Sequence, residues 1–145
     1  MNIECKVANR RFMPKRMHAA DAGADMRANI EEPLTIPKGK IRWVDLGLSC
    51  DIPEGYVGIQ AARSGLGCKH GITLANSIGV IDAGYHGPIK AALVNLGDRN
   101  YTIRPHDRVC QLLIIKCELA DFTEVDEFEA ESERGDGGYG STGNE

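Results

Sequence analysis

The sequence predicts an all-β domain, a sandwich or barrel of short strands with at most one short helix. Three observations carry that prediction. Val44, Leu46, Leu48, Cys50 and Ile52 alternate with Asp45, Gly47, Ser49 and Asp51, a period of two sustained over nine residues. Turn chemistry brackets the run, with Pro37-Lys38-Gly39 before it and Pro53-Glu54-Gly55 after it. Further short apolar runs follow at even spacing, the pattern of a sandwich or barrel and not of alternating strands and helices.

Along the chain, Val57, Ile59 and Ala61 resume the alternation. The single helix candidate, one or two turns near Ser64 to His70, comes next. Residues 89–94 and 109–115 predict two more strands, the second buried on both faces. Leu96-Gly97-Asp98-Arg99-Asn100 and Arg104-Pro105-His106-Asp107 are loops. Apolar content thins after about residue 117. The expected organisation is therefore one folded domain over residues 1–117, an acidic linker over 118–133 and a glycine-rich tail over 134–145. There is no internal repeat.

The net charge of −4 hides a division. Residues 118–145 hold 10 acidic and 1 basic side chains, whereas residues 1–117 hold 11 acidic and 16 basic, a balance of +5. A mildly basic body suits a small polyanionic ligand. It lacks the dense basic stripe with interleaved aromatics that nucleic-acid binding requires. The acidic linker would repel phosphates, so it spans a distance instead of touching ligand. Five cysteines form no C-x-x-C pair and read as small core or surface residues in a reducing compartment, not as a disulfide frame or zinc site. The first residues contain no apolar signal core, and no segment approaches the roughly 20 apolar residues of a membrane span. The expected setting is the cytoplasm, or host cytosol or nucleus for a viral chain, with no membrane partner.

Five segments could carry chemistry. In Arg134-Gly135-Asp136-Gly137-Gly138-Tyr139-Gly140-Ser141-Thr142-Gly143, glycines free backbone N–H groups to turn toward one anion, and Arg134 adds a bidentate fork. The spacing approaches a phosphate-binding P-loop, but Ser141 occupies the lysine position and no helix can follow. Asp21-Ala22-Gly23-Ala24-Asp25 is a small-residue turn with an acid. Ala62-Arg63-Ser64-Gly65 offers a guanidinium, a hydroxyl and free N–H groups at a helix start, an anion site in miniature, unless Ser64 merely caps the helix. Residues 76–87 hold Asn76, Gly79, Gly84 and Tyr85 and suit a hairpin whose main chain borders a pocket. Asp82 there ends an apolar run, where a carboxylate is costly unless it is hydrogen-bonded or holds a water whose proton it removes. The last segment, Asp107-Arg108-Val109-Cys110-Gln111, leads into a buried strand, with structural ion pairing the simpler role for Arg108. His18, His70, His86 and His106 share no ligand spacing, and no G-x-S-x-G or H-E-x-x-H occurs.

Taken in order and with their spacing, the five segments resemble the homotrimeric dUTPase family, dUTP nucleotidohydrolases that release dUMP and pyrophosphate. The resemblance runs from about Met13 to Thr142 and implies a distorted jelly-roll β-barrel or sandwich with a C-terminal arm and flexible tail. It implies a homotrimer with three active sites shared between subunits, dUTP as substrate, Mg²⁺ as cofactor and no nucleic-acid partner. By that resemblance Asp82 is the base, and Tyr85 is the ring under deoxyribose that excludes a ribo 2′-hydroxyl. Asn76 and the main chain of Gly79, Val80 and Ile81 read uracil. Arg63, Ser64, Gly65 and Gln111 contact phosphates, and Lys90 closes the nucleotide pocket. Asp25 holds waters on a Mg²⁺ carried by the triphosphate. In the tail Arg134 meets the γ-phosphate, Tyr139 covers uracil, and Gly140, Ser141 and Thr142 complete the phosphate contacts. The product dUMP would feed dTMP synthesis, and dUTP removal would keep uracil out of DNA.

Ala62, Ala24, Gly84 and Tyr139 depart from the commonest family pattern without removing a catalytic group. Two other readings compete. dCTP deaminases share the jelly roll but place a catalytic glutamate in the following strand, where this chain has Ala92. A nucleotide-sensing module without turnover would not need both Asp82 and the whole tail.

Overall fold

A computed structural model describes residues 1–128, 132 and 135 of the chain. In chain order the strands are β1 (Glu4–Val7), β2 (Ala24–Arg27), β3 (Leu34–Ile36), β4 (Ile41–Asp45), β5 (Leu48–Asp51), β6 (Tyr56–Ala62), β7 (Ile72–Leu74), β8 (Gly79–Ile81), β9 (Lys90–Asn95), β10 (Tyr101–Ile103) and β11 (Arg108–Lys116). The helix α1 (Ser64–His70) lies where the sequence placed it. Every pairing is antiparallel, and most join strands distant in sequence. One sheet runs β2-β11-β6-β8, a second β4-β9-β7, and β1-β5 and β3-β10 complete the walls. This is the mostly-β architecture expected, a jelly roll.

The interior is a single apolar cluster. Met26, Ile36, Val44, Leu93 and Ile103 are each fully buried within it, and each such side chain contributes about 1.5–3 kcal/mol. One polar residue sits among them without cost. Asn95 is fully buried, donates to the carbonyls of Ile36 and Arg99 at 2.8 Å each, and accepts from Gly97 N–H at 3.0 Å. A satisfied buried amide ties the end of β9 to β3 and the following loop.

The structure corrects four expectations. The nine-residue alternating run is two strands, β4 and β5, in different sheets. Gly47 turns between them at φ +65°, and its N–H donates to Asp45 Oδ1. The inward set is still buried, because the turn preserves the alternation. On β6 the buried face carries Gly58 and Gln60, and Val57, Ile59 and Ala61 face outward, half-buried. A Cβ at Gly58 would lie 2.6 Å from Ile52 Cδ1, so the missing side chain is what lets the sheet close over the core. β11 is buried only in its first half, and Ile115 is 44% exposed. Residues 76–87 are not a two-stranded hairpin, since β7 pairs with β9 and β8 with β6. Beyond Lys116 the residues through 128 form no strand or helix, and Leu119, Phe122 and Phe128 stand almost fully exposed.

Candidate active site

Two clefts hold the predicted site residues. The first, of about 450 Å³, is walled by Trp43, Gln60, Asn76, Val80, Asp82, Tyr85 and Lys90. A tight turn enters it: Ser77 takes a left-handed φ of +64°, and Ile78 N–H donates to Asn76 O at 2.7 Å. β8 then packs against the floor through Gly79. A Cβ there would lie 2.6 Å from Gln60 Oε1 and 2.9 Å from Gln60 Cβ, and Gln60 is itself only 4% exposed. Gln60 Nε2 donates to Lys90 O at 3.3 Å, so one buried amide links β6 to the strand across the cleft.

The turn after β8 positions the acid and the ring. Tyr85 N–H donates to Asp82 O at 3.2 Å, and Gly84 N–H to Ile52 O at 3.3 Å. Gly84 has φ +78° with open space around it, so it serves the turn and not a close backbone approach. Tyr85 Oη donates to Pro88 O at 3.2 Å, laying the ring over Gly87, where a Cβ would strike the hydroxyl. His86 Nε2 meets Asp51 Oδ1 at 2.8 Å on the outer side. Asp82 is exposed, so the burial cost inferred from its apolar approach does not apply. Among the described residues its carboxylate has no hydrogen-bonding or ionic partner, which leaves both oxygens to water.

The second cleft, also about 450 Å³, is lined by Asp21, Gly23, Asp25, Arg63, Ser64, Gly65, Arg108 and Gln111. Asp25 is its centre. Arg63 Nε donates to Asp25 Oδ1 at 2.8 Å, Arg108 Nη1 donates to Oδ2 at 2.9 Å, and Arg63 Nη1 also reaches Arg108 O at 3.1 Å. One carboxylate thus aligns two guanidinium groups. Each oxygen takes a single protein N–H and keeps a lone pair for water. That suits outer contact with a hydrated Mg²⁺, and among the described residues no cluster of His, Cys, Asp or Glu forms a direct metal cage. Gln111 Nε2 donates to Ala62 O at 2.9 Å, and Gly23 leaves room for the Gln111 amide. Arg63, not Ser64, is the helix N-cap residue, and its side chain makes no capping bond. The N–H groups of Ser64 and Gly65 therefore face the cleft end of the helix unpaired by a cap.

The structure brings Asp82, Asn76, Gly79, Val80, Ile81, Tyr85 and Lys90 to the first cleft and Asp25, Arg63, Ser64, Gly65 and Gln111 to the second. Among the described residues the two share none of their lining. Arg134, Tyr139, Gly140, Ser141 and Thr142 lie outside the described residues. Sequence reasoning missed Gln60 and Trp43. The signal for Gln60 was a polar residue on the face of β6 that also carries Gly58. For Trp43, 69% exposed, it was an aromatic out of phase with Val44 and Leu46. Ala92 lies opposite Trp43 in the β4–β9 register, with no carboxylate at that point of the strand.

The antiparallel jelly roll that carries these two clefts has solved counterparts among phage dUTPases. A mutant of the Staphylococcus bacteriophage 80alpha dUTPase with dUpNHpp is similar at a TM-score of 0.89 and 28% identity, over 98% of both chains. A mutant dUTPase of phage phi11, described with a structural Mg(II) ion, is similar at 0.80 and 25% identity, over 90% of this chain and 100% of that one. The deoxyuridine 5'-triphosphate nucleotidohydrolase of Chlamydia pneumoniae is 41% identical over 143 residues, and that of Burkholderia ambifaria 39% over 147, each covering 99% of both sequences. The dUTPase family model matches residues 10–143, and the chain belongs to the dUTPase family.

Proposed function

We propose that this chain hydrolyses dUTP to dUMP and pyrophosphate, with Asp82 as the base that activates water at the α-phosphorus. The observation that carries the reading is the free, exposed Asp82 carboxylate at the edge of the Gly79–Ile81 cleft. A carboxylate in that position both orients a water and accepts its proton, a contribution of about 10²–10⁴ in rate. Main-chain groups of β8 and the Asn76 amide select uracil, because cytosine would leave them unpaired. Tyr85, fixed by Pro88 O, supports the sugar. Arg63 and Arg108, aligned by Asp25, face the phosphates along with the N-terminus of α1 and Gln111. Mg²⁺ carried by the triphosphate would neutralise its charge, with Asp25 holding the ion through water. Arg134, Tyr139, Gly140, Ser141 and Thr142 complete the site over the bound nucleotide.

The active unit is a homotrimer with each site assembled from more than one subunit. Two clefts without a common lining residue support this, as do the exposed Leu119, Phe122 and Phe128 on an arm that leaves the barrel. Residues 1–117 are the catalytic domain, 118–133 the arm and 134–145 the covering segment. The protein acts in the cytoplasm, where its product supplies dTMP synthesis and its action keeps uracil out of DNA.

Pyrophosphate release from dUTP, dCTP and dTTP with Mg²⁺ tests the proposal, using wild type and Asp82→Asn. Release from dUTP alone is expected, abolished in the variant while nucleotide binding persists. Ammonia release from dCTP, or full activity in the variant, would overturn it.

A further inference from the structure

Two thiols outside both clefts face each other across the β1–β5 ladder. Cys5 and Cys50 are direct partners in the antiparallel register, and their Sγ atoms lie 3.1 Å apart. Directly opposed residues of an antiparallel pair have Cα atoms about 4.5–5.5 Å apart, inside the range of about 4.4–6.8 Å that a disulfide spans. The sulfurs would have to close by about 1 Å to reach the bonded distance of about 2.05 Å. Among the described residues no other pair of cysteines is in contact: Cys68 is exposed on α1, Cys110 is buried in β11, and Cys117 begins the arm. A third cleft, of about 210 Å³, is lined by both Cys5 and Cys50 together with Lys6 and His86, so a small oxidant can reach the pair.

We propose that Cys5 and Cys50 form a reversible intramolecular disulfide when the protein meets hydrogen peroxide. The half-buried Cys5 is the thiol that reacts first, and the buried Cys50 resolves. Burial, then the hydrogen bond and charge of Cys5, push the Cys50 thiol up to about 12, so it stays protonated until its partner is oxidised. In the first step the Cys5 thiolate attacks one peroxide oxygen. The O–O bond breaks, the sulfur becomes a sulfenic acid, and the departing hydroxide takes up a proton as water. In the second step Cys50 sulfur attacks Cys5 sulfur, the S–O bond breaks, and the Cys50 proton leaves with the hydroxide as a second water. Two thiols and one peroxide give one disulfide and two waters. A dithiol reductant reverses the reaction by exchange.

The site is independent of dUTP hydrolysis but adjoins the catalytic turn. The residues following Cys50 hold that turn, Asp51 through His86 and Ile52 through Gly84 N–H. A bond from Cys50 to β1 would anchor the strand end on which the turn rests.

The test uses the full chain treated with hydrogen peroxide, then alkylated and digested with trypsin. The expected product is peptide 1–6 linked to peptide 43–63, and an intact mass lower by two hydrogens, about 2 Da, restored by dithiothreitol. Cys5→Ser should remove both signals while keeping the wild-type circular dichroism spectrum. A Cys50→Ser variant serves as the second control, since it leaves Cys5 in place. Oxygen additions without linkage, a bond to Cys68 or between chains, or no change under peroxide that oxidises glutathione in the same tube would overturn the proposal.

Discussion

Replacing Asp25 with asparagine removes one charge and leaves the shape unchanged. The carboxylate takes N–H bonds from Arg63 at 2.8 Å and Arg108 at 2.9 Å, and its side chain is 13% exposed. The amide can accept from one guanidinium only, and its NH₂ then faces the donors of the other. Charge-assisted bonds contribute about 1.5–3 kcal/mol each, but the arginines are 25% and 33% exposed, and solvent screening favours the lower end. Two such bonds lost, against one weaker guanidinium–amide bond of about 1 kcal/mol kept, leave a deficit of about 2–3 kcal/mol, with two cations now repelling across the cleft. At this chain length about 3–4 °C accompanies each kcal/mol, so the midpoint should fall by about 6–12 °C. Differential scanning calorimetry of both proteins at one protomer concentration reads the shift directly. A fall below about 2 °C would show that Asp25 does not hold the two guanidinium groups together, and the account of the second cleft would fail with it.

Further outcomes follow from the same geometry. Gly79→Ala should destabilise by about 1–3 kcal/mol and raise the KM for dUTP, because its Cβ displaces the buried Gln60 that bonds Lys90 O; unchanged melting and KM would contradict the packing described. Burial pushes Cys50 and Cys110 up to about 12, so near pH 8 both remain neutral thiols while the exposed Cys68 reacts with Ellman's reagent. Rapid labelling of Cys110 in the native protein would refute that. Truncation after Glu133 should leave a folded assembly with severely reduced turnover, measured by scattering and pyrophosphate release, and normal turnover would remove residues 134–145 from the site. Linking Cys5 to Cys50 should raise stability by up to about 4 kcal/mol through loop closure, read as a higher melting point in the oxidised than in the reduced protein.

Much of this was legible in the sequence for identifiable reasons. Period-two alternation marks the inward residues whatever the sheet, so Val44 through Ile52 were correctly assigned to the core although a turn divides them. The same pattern cannot tell one strand from two, because Gly47 falls among the polar members of the alternation, and its left-handed turn, tucked against Phe12, leaves the phase intact. The helix was recoverable because glycine and serine punctuate both ends. Gln60 was hidden because its importance lies in what it touches across the sheet, whereas the ion pairing expected of Arg108 is found, with Asp25 as its partner. The burial argument for Asp82 is not supported by the structure: the group is open to solvent, and what sets it apart is its place at the edge of the β8 cleft.

The absence of a common lining residue between the two clefts has a genetic consequence. A lesion at Asp82 leaves the arginine cleft of the same chain intact, and a lesion at Arg63 leaves the Asp82 cleft intact. Two alleles, each inactive alone, therefore carry complementary good halves, and co-expression would rebuild some whole sites wherever chains associate across those surfaces. The reverse would hold, in the proposed homotrimer, for a cell with one normal and one damaged copy, where a single poor chain would spoil sites that its neighbours contribute to. Dominance, in the proposed homotrimer, would be written into which residues line which cleft.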